Sequence, residues 1–206
     1  MFKDYSPSLY FRNYSYEISK ALDTVKQDDF NAAYDLLEDA YTHIWPVLTF
    51  GNGGSAAIAN HAIADLIKGV GHDVETYPLH AVSLVANSPL LTCMANDYGY
   101  TYALAKQIEM WSYYGTLCIG ISSSGNSTNI YEAFKTVKDR KMDGFRSLAL
   151  LGFDSGIVGR ERLADVTIHV RSDNYGIVED CHSIILHALI QKLRINNAKD
   201  LSAVRL

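Results

Sequence analysis

The stretch Ile44-Trp45-Pro46-Val47-Leu48-Thr49-Phe50-Gly51-Asn52-Gly53-Gly54-Ser55 decides how the chain is read. A short apolar run passes into a glycine-rich turn, and the turn opens a segment of helical spacing, Ala56–Lys68. Strand, turn and helix in that order form the repeating unit of a parallel α/β sheet. Further apolar runs follow at His80–Ala86, Thr116–Ser122, Ser147–Phe153 and Val166–Val170, each except the last leading through turn residues into a helix-like segment. Near-continuous apolar strands alternating with helices predict a parallel sheet covered on both faces. Ligands of such sheets sit beyond the carboxyl ends of the strands, near a topological switch point.

Upstream the pattern is helical. Phe11, Tyr14, Ile18, Leu22 and Val25 follow the spacing of one helix face, and Phe30, Ala33, Leu37 and Tyr41 repeat it after the polar break Lys26-Gln27-Asp28-Asp29. The second helix is expected to start just after Asp28 and Asp29, whose carboxylates accept free N–H groups. Tyr5, Tyr10, Tyr14 and Tyr16 serve either a partner subunit or packing within the chain. No linker, low-complexity tract or repeat divides the 206 residues. Residues 1–206 therefore read as a single domain, with 1–43 a helical extension and 44–206 the α/β core.

Composition narrows the classes. With 48% hydrophobic and 20% charged residues, the chain is long enough to bury roughly 70% of its unfolded surface, which excludes disorder as the dominant state. The net charge of −5 and the lack of any Lys/Arg block argue against a nucleic-acid or anionic-membrane surface. No segment approaches the roughly 20 apolar residues of a membrane span. The start, MFKDYSPSLYFRNYSYE, lacks the basic and apolar regions of a signal peptide. Cys93, Cys118 and Cys181 are isolated, odd in number and set in apolar surroundings. They are expected to be reduced core thiols, and the cytoplasm is the expected compartment.

Two loops carry the candidate chemistry. Gly51-Asn52-Gly53-Gly54-Ser55 lets backbone approach an anion at a helix start. It has neither the spacing of the dinucleotide fingerprint nor the Gly-Lys-Ser/Thr of a P-loop. Ser122-Ser123-Ser124-Gly125-Asn126-Ser127 precedes a helix with Tyr131, Phe134 and Val137 as its apolar positions. Ser124 or Ser127 is a ready N-cap, yet four hydroxyls with free helix N–H groups also form a neutral cradle for phosphate. Two such loops on one sheet favour a phosphorylated ligand. Asn96-Asp97 adds a hydrogen-bonding pair at the same end, or a turn. His61 and Asp65, four apart, share a helix face, as an intrahelical pair or as ligands. The last helix carries Glu179, His182 and His187, and His187 sits in an apolar run where a histidine is usually a core residue.

The ordered set G-N-G-G-S-x5-H, A-N-D-Y-G, I-S-S-S-G-N-S and E-D-C-H-x4-H resembles the sugar isomerase (SIS) domain and, within it, the phosphoheptose isomerases, over nearly the whole chain. The resemblance implies a three-layer, doubly wound, parallel five-stranded sheet with an N-terminal helical extension. It implies interconversion of sedoheptulose 7-phosphate and D-glycero-D-manno-heptose 7-phosphate, a precursor step for surface glycans. Asn52, Gly53, Gly54, Ser55, Asn96, Asp97, Ser122, Ser123, Ser124 and Ser127 fall on its substrate- and phosphate-binding positions. His61 and His187 match metal-binding histidines, with His187 also an acid–base candidate. Asp65 stands where the family has a Glu that binds metal and substrate and acts as base; Glu179 stands where it has a substrate- and metal-contacting Gln. The family is similar in using a divalent ion, commonly zinc, and in being a homotetramer with sites built from more than one subunit.

The departures are specific. Asp65 withdraws its carboxylate by about 1.5 Å relative to Glu, a shift that can cost on the order of 100-fold in rate unless the backbone compensates. Glu179 adds a negative charge. Where the family places an Arg after the base, the chain reads Leu66-Ile67-Lys68-Gly69, and Gly176 replaces an Asp. His61, Asp65, Glu179 and His187 still make an N2O2 set suited to zinc. Glu179 and His187, however, lie about 12 Å apart along a regular helix. Either Glu179 precedes the helix or the two residues meet from different chains, and the second arrangement is the expectation.

Isomerisation through an enediol needs a base at carbon and a proton relay at oxygen. Asp65 is expected to move the first proton, with Glu179 as substitute, and His187 the second, while a metal held with His61 and Glu179 polarises the carbonyl. The rival readings are a non-catalytic SIS module, either a sugar-phosphate sensor or a replication-initiator-associating protein, and an isomerase of another sugar phosphate. Retention of His61, an acid at 65 and His187 together favours the phosphoheptose isomerase.

Overall fold

The computed structural model describes residues 5–70, 79–111 and 114–198. Strands β1 (Val47–Gly51), β2 (Ala81–Ser83), β3 (Thr116–Ser122), β4 (Phe145–Leu151) and β5 (Val166–His169) form one parallel sheet in the order β2-β1-β3-β4-β5. Alternate strand residues leave by opposite faces, as the pleat requires. Val47, Leu117, Ile119, Ile121, Leu148 and Leu150 enter one core with α1 (Pro7–Leu22), α2 (Gln27–Thr42), α3 (Gly54–Ala64) and α8 (Tyr175–Asn197). Leu48, Phe50, Cys118, Ala149 and Leu151 enter the other, against α5 (Ala103–Met110), α6 (Thr128–Asp139) and α7 (Gly156–Arg160). Helix α4 (Ser88–Tyr98) follows β2. The result is the three-layer α/β arrangement expected from the alternation of runs. From β1 the chain winds outward to β2 and then returns to the far side of β1 as β3. The switch point therefore lies between β1 and β3, beneath the two candidate loops.

Several boundaries differ from expectation for local reasons. The predicted first strand begins at Ile44, but Ile44 has φ 56°. Trp45 N–H donates to Ala40 O and Ile44 N–H to Tyr41 O, so these residues close α2 in a Schellman motif before β1 can start. The second helix begins at Gln27 rather than after Asp29, placing Asp28 and Asp29 in its first turn without a side-chain cap. There they complement the helix dipole. The fourth strand lies two residues earlier than predicted, because Gly152 and Phe153 leave the sheet for a turn.

The extension packs on its own chain through Tyr14, Ile18, Leu22 and Val25. Phe11, expected on that face, is 70% exposed. Tyr14 Oη donates to Asp180 of α8 at 2.7 Å, and burial, then this bond, pushes its pKa up to about 12. All three cysteines are free, but Cys93 is exposed rather than in the core, and only Cys118 and Cys181 are buried. Among the described residues no helix is long and apolar enough to cross a membrane.

Candidate active site

The first loop leaves β1 at Gly51 and turns at Gly53, whose φ of 55° and ψ of −124° favour glycine. Gly54 then starts α3 with the Glu179 carboxylate of α8 lying where its Cβ would be. A side chain at 54 would have to displace that carboxylate. Asn52 and Asn129 exchange paired amide hydrogen bonds of 2.9 Å, and Tyr100 Oη donates to the same Asn52 oxygen at 2.8 Å. The amide oxygen of Asn52 is therefore fully used in tying β1 to α6 and to the turn before α5. Asn129 and Tyr100 are site-supporting residues that sequence reasoning missed. Neither carries a local signal, since each acts only through a residue far away in sequence.

The second loop wraps the end of β3. Ser122 Oγ accepts from Gly125 N–H at 3.1 Å and Ser124 Oγ from Asn126 N–H at 3.2 Å, so both help shape the turn. Ser127 occupies the N-cap position of α6 without a side-chain cap bond. Ser123 Oγ is buried with no hydrogen-bond partner, which is unusual unless a ligand supplies one. Together Asn52, Ser55, Ile121, Ser122, Ser123, Ser124, Ser127, Tyr175 and Glu179 line a cleft of about 110 Å³. Burial, then the neighbouring Asp180 charge, raises the pKa of Glu179 above the usual carboxylate range. Gly53 belongs to the loop but not to the cleft lining. Asn96 and Asp97 end α4 on the exposed surface, bonded to each other at 2.9 Å, and do not line this cleft either.

A second cluster lies further along α8. After Ala64 the helix widens into a π turn, Asp65–Gly69, an irregularity frequent at functional sites. Asp65 Oδ2 there lies 3.5 Å from His61 Nε2 and 3.4 Å from His187 Nε2. It is buried and has no hydrogen-bond partner. The ligand atoms of the three residues all fall within 4.8 Å of one another, and the imidazoles meet edge to face at 5.1 Å. Two imidazole nitrogens around an unsatisfied carboxylate oxygen are a donor set suited to a divalent cation such as zinc. The trio fits a metal. Glu179 is not part of it: it lies inside regular α8, two turns from His187, against Gly54. The alternative in which Glu179 precedes the helix is thereby overturned.

The core role considered for His187 belongs to His182 instead. His182 is fully buried, and neither ring nitrogen finds a partner of good geometry. Burial pushes its pKa down to about 4, with His169 adding to the fall and the nearby Leu151 backbone opposing it.

A phosphate-sized polar cleft lies at the parallel-sheet switch point, and a metal-suited trio lies where α3 and its π turn meet α8; together they mark a phosphate-handling α/β protein. The SIS domain model matches residues 10–144. A probable phosphoheptose isomerase of Thermoplasma acidophilum is 37% identical over 69% of this chain and 75% of its own length. The phosphoheptose isomerase of Geotalea daltonii is 36% identical over 79% and 81%. The solved phosphoheptose isomerase of Neisseria gonorrhoeae superposes with TM-score 0.77 and 26% identity, covering 90% of this chain and 95% of that one. The chain belongs to the SIS-domain phosphoheptose isomerase family.

Proposed function

We propose that the protein is an aldose–ketose isomerase that interconverts sedoheptulose 7-phosphate and D-glycero-D-manno-heptose 7-phosphate, for surface-glycan heptose, in the cytoplasm. The observation that carries this reading is the buried, unpartnered Asp65 Oδ2 between two imidazoles, in a family member that also keeps an open serine cleft. The reaction moves one proton between C1 and C2 through an enediol and one between the two oxygens, so nothing is consumed. Asp65 takes and returns the proton at carbon; His187 carries the proton at oxygen. His61, Asp65 and His187 would hold a divalent ion, zinc by donor type, and such an ion supplies a Lewis acid for the carbonyl when bound. Ser123, Ser124, Ser127 and the loop N–H groups hold the phosphate, with Ser55 and the glycines Gly53 and Gly54 giving close approach. Fixing this remote handle places the reacting carbons.

Within one chain Glu179 cannot join the trio. We assign it to a site completed by a second copy, in a homo-oligomer that family resemblance makes a tetramer. Residues 1–206 are read as one SIS domain, with 1–43 as its extension. Two experiments test these assignments. Turnover of sedoheptulose 7-phosphate, followed by NMR, is expected to vanish with a chelator and return with zinc; saturable binding without turnover would replace the isomerase by a binding module. Mixing Glu179→Ala and His187→Ala subunits, each inactive alone, is expected to restore activity. A mixture as dead as its parents would place both residues in the same chain's site.

A further inference from the structure

The serine cleft has one wall that the catalytic scheme leaves unused. Tyr175 opens α8 and lines the cleft beside Glu179, one turn apart on the same helix face. It is 60% exposed, yet its ring is held: it meets Phe153 edge to face, with centroids 4.7 Å apart and planes at 73°. Phe153 has φ 47°, a costly conformation for a bulky side chain. Its backbone is fixed on both sides, with N–H donating to Ser172 O at 3.0 Å and its carbonyl oxygen 2.9 Å from His169 Nε2. Two residues on, Ser155 has φ 65°, and its carbonyl oxygen fills the space that a side chain at Gly125 of the serine loop would need. One strained turn therefore props both the tyrosine and the phosphate loop. Strain of this kind persists where the surrounding structure holds a functional group in place.

We infer that Tyr175 is a specificity-determining residue that touches the substrate, its ring packing on the C–H groups of the carbon chain beside the phosphate ester. Hydroxyls, amides and a carboxylate line most of the cleft, while Tyr175 supplies an aromatic surface at its mouth. A ligand with an anionic end and a C–H-bearing chain matches that division; free phosphate uses only the polar part. The inference rests on the sugar-phosphate reading above, but needs neither the heptose nor the chemistry at Asp65.

The test compares Tyr175→Ala with the parent for binding of inorganic phosphate and of sorbitol 6-phosphate, an open-chain polyol phosphate that cannot isomerise. The substitution is expected to weaken sorbitol 6-phosphate about five- to tenfold and to leave phosphate within about twofold. Tyr175→Phe is expected to keep the parent's preference. Equal affinities in the parent and Tyr175→Ala overturn the assignment. Equal loss for both ligands also overturns it, because Tyr175 would then be shaping the cleft rather than touching the chain. A parent that binds sorbitol 6-phosphate with the expected Tyr175 dependence, yet fails to turn over sedoheptulose 7-phosphate, sinks the isomerase and leaves Tyr175 standing.

Discussion

The two ends of the site are built by different means, although α8 runs past both. The serine cleft is made of loops at the carboxyl ends of β1 and β3, and three of its polar residues already serve the fold. Asn52 is tied up with Asn129 and Tyr100, while Ser122 and Ser124 hold their own turn. The His61, Asp65 and His187 trio is made of side chains from two helix segments, with a central carboxylate oxygen that nothing in the chain satisfies. On the proposed reading the first region binds and the second reacts. Breaking each should therefore change a different kinetic constant.

The largest effect is expected at the trio. Asp65→Asn keeps the shape of the side chain but removes the proton acceptor. Loss of a positioned general base costs about 10²- to 10⁴-fold in kcat, and KM should stay within a few-fold because the phosphate cleft is untouched. A variant with unchanged kcat and raised KM would reverse the division of labour between the two regions. A variant unchanged in both would remove Asp65 from the mechanism.

At the cleft, Ser123→Ala is the sharper probe because Ser123 Oγ has no internal partner to lose. Removing it should leave the melting temperature unchanged or slightly raised. Loss of a hydrogen bond to a charged ligand should raise KM about 10- to 100-fold, with kcat little altered. A stability loss with normal KM would make Ser123 structural and the cleft a folding device.

The same contrast explains what could be read from the chain before its structure was considered. Loops announce themselves locally: glycines and serines directly after apolar runs placed both near the switch point, and the run order predicted the parallel sheet. Side-chain meetings across the fold do not. His61 and Asp65 share a helix face in any reading, but nothing nearby says that His187 closes on them while His182, five residues earlier, turns into the core. Strand ends failed for a similar reason. Ile44 is apolar and suits a strand, yet the backbone bonds from Trp45 to Ala40 and from Ile44 to Tyr41 commit it to ending α2. The partners of Asn52 lie at 100 and 129, beyond any local pattern.

The most modest test concerns the core side of α8, the helix that runs past both regions. His182 lies three residues after Glu179 and five before His187, buried and held neutral with a pKa of about 4. The unfolded chain binds this proton near the ordinary value of about 6.5. Between those values the unfolded state carries more protons, so stability must fall as pH is lowered from about 6.5 towards 4. The full contribution of this group is about 3 kcal/mol. Urea unfolding of the parent and of His182→Leu across that range isolates it from the carboxylates, which both proteins share: the parent should lose stability more steeply. Because a single domain unfolds cooperatively, phosphate binding and turnover should be lost together as the parent approaches its acid transition, and the variant should extend both to lower pH. Parallel stability curves would mean that His182 escapes its buried position before it titrates.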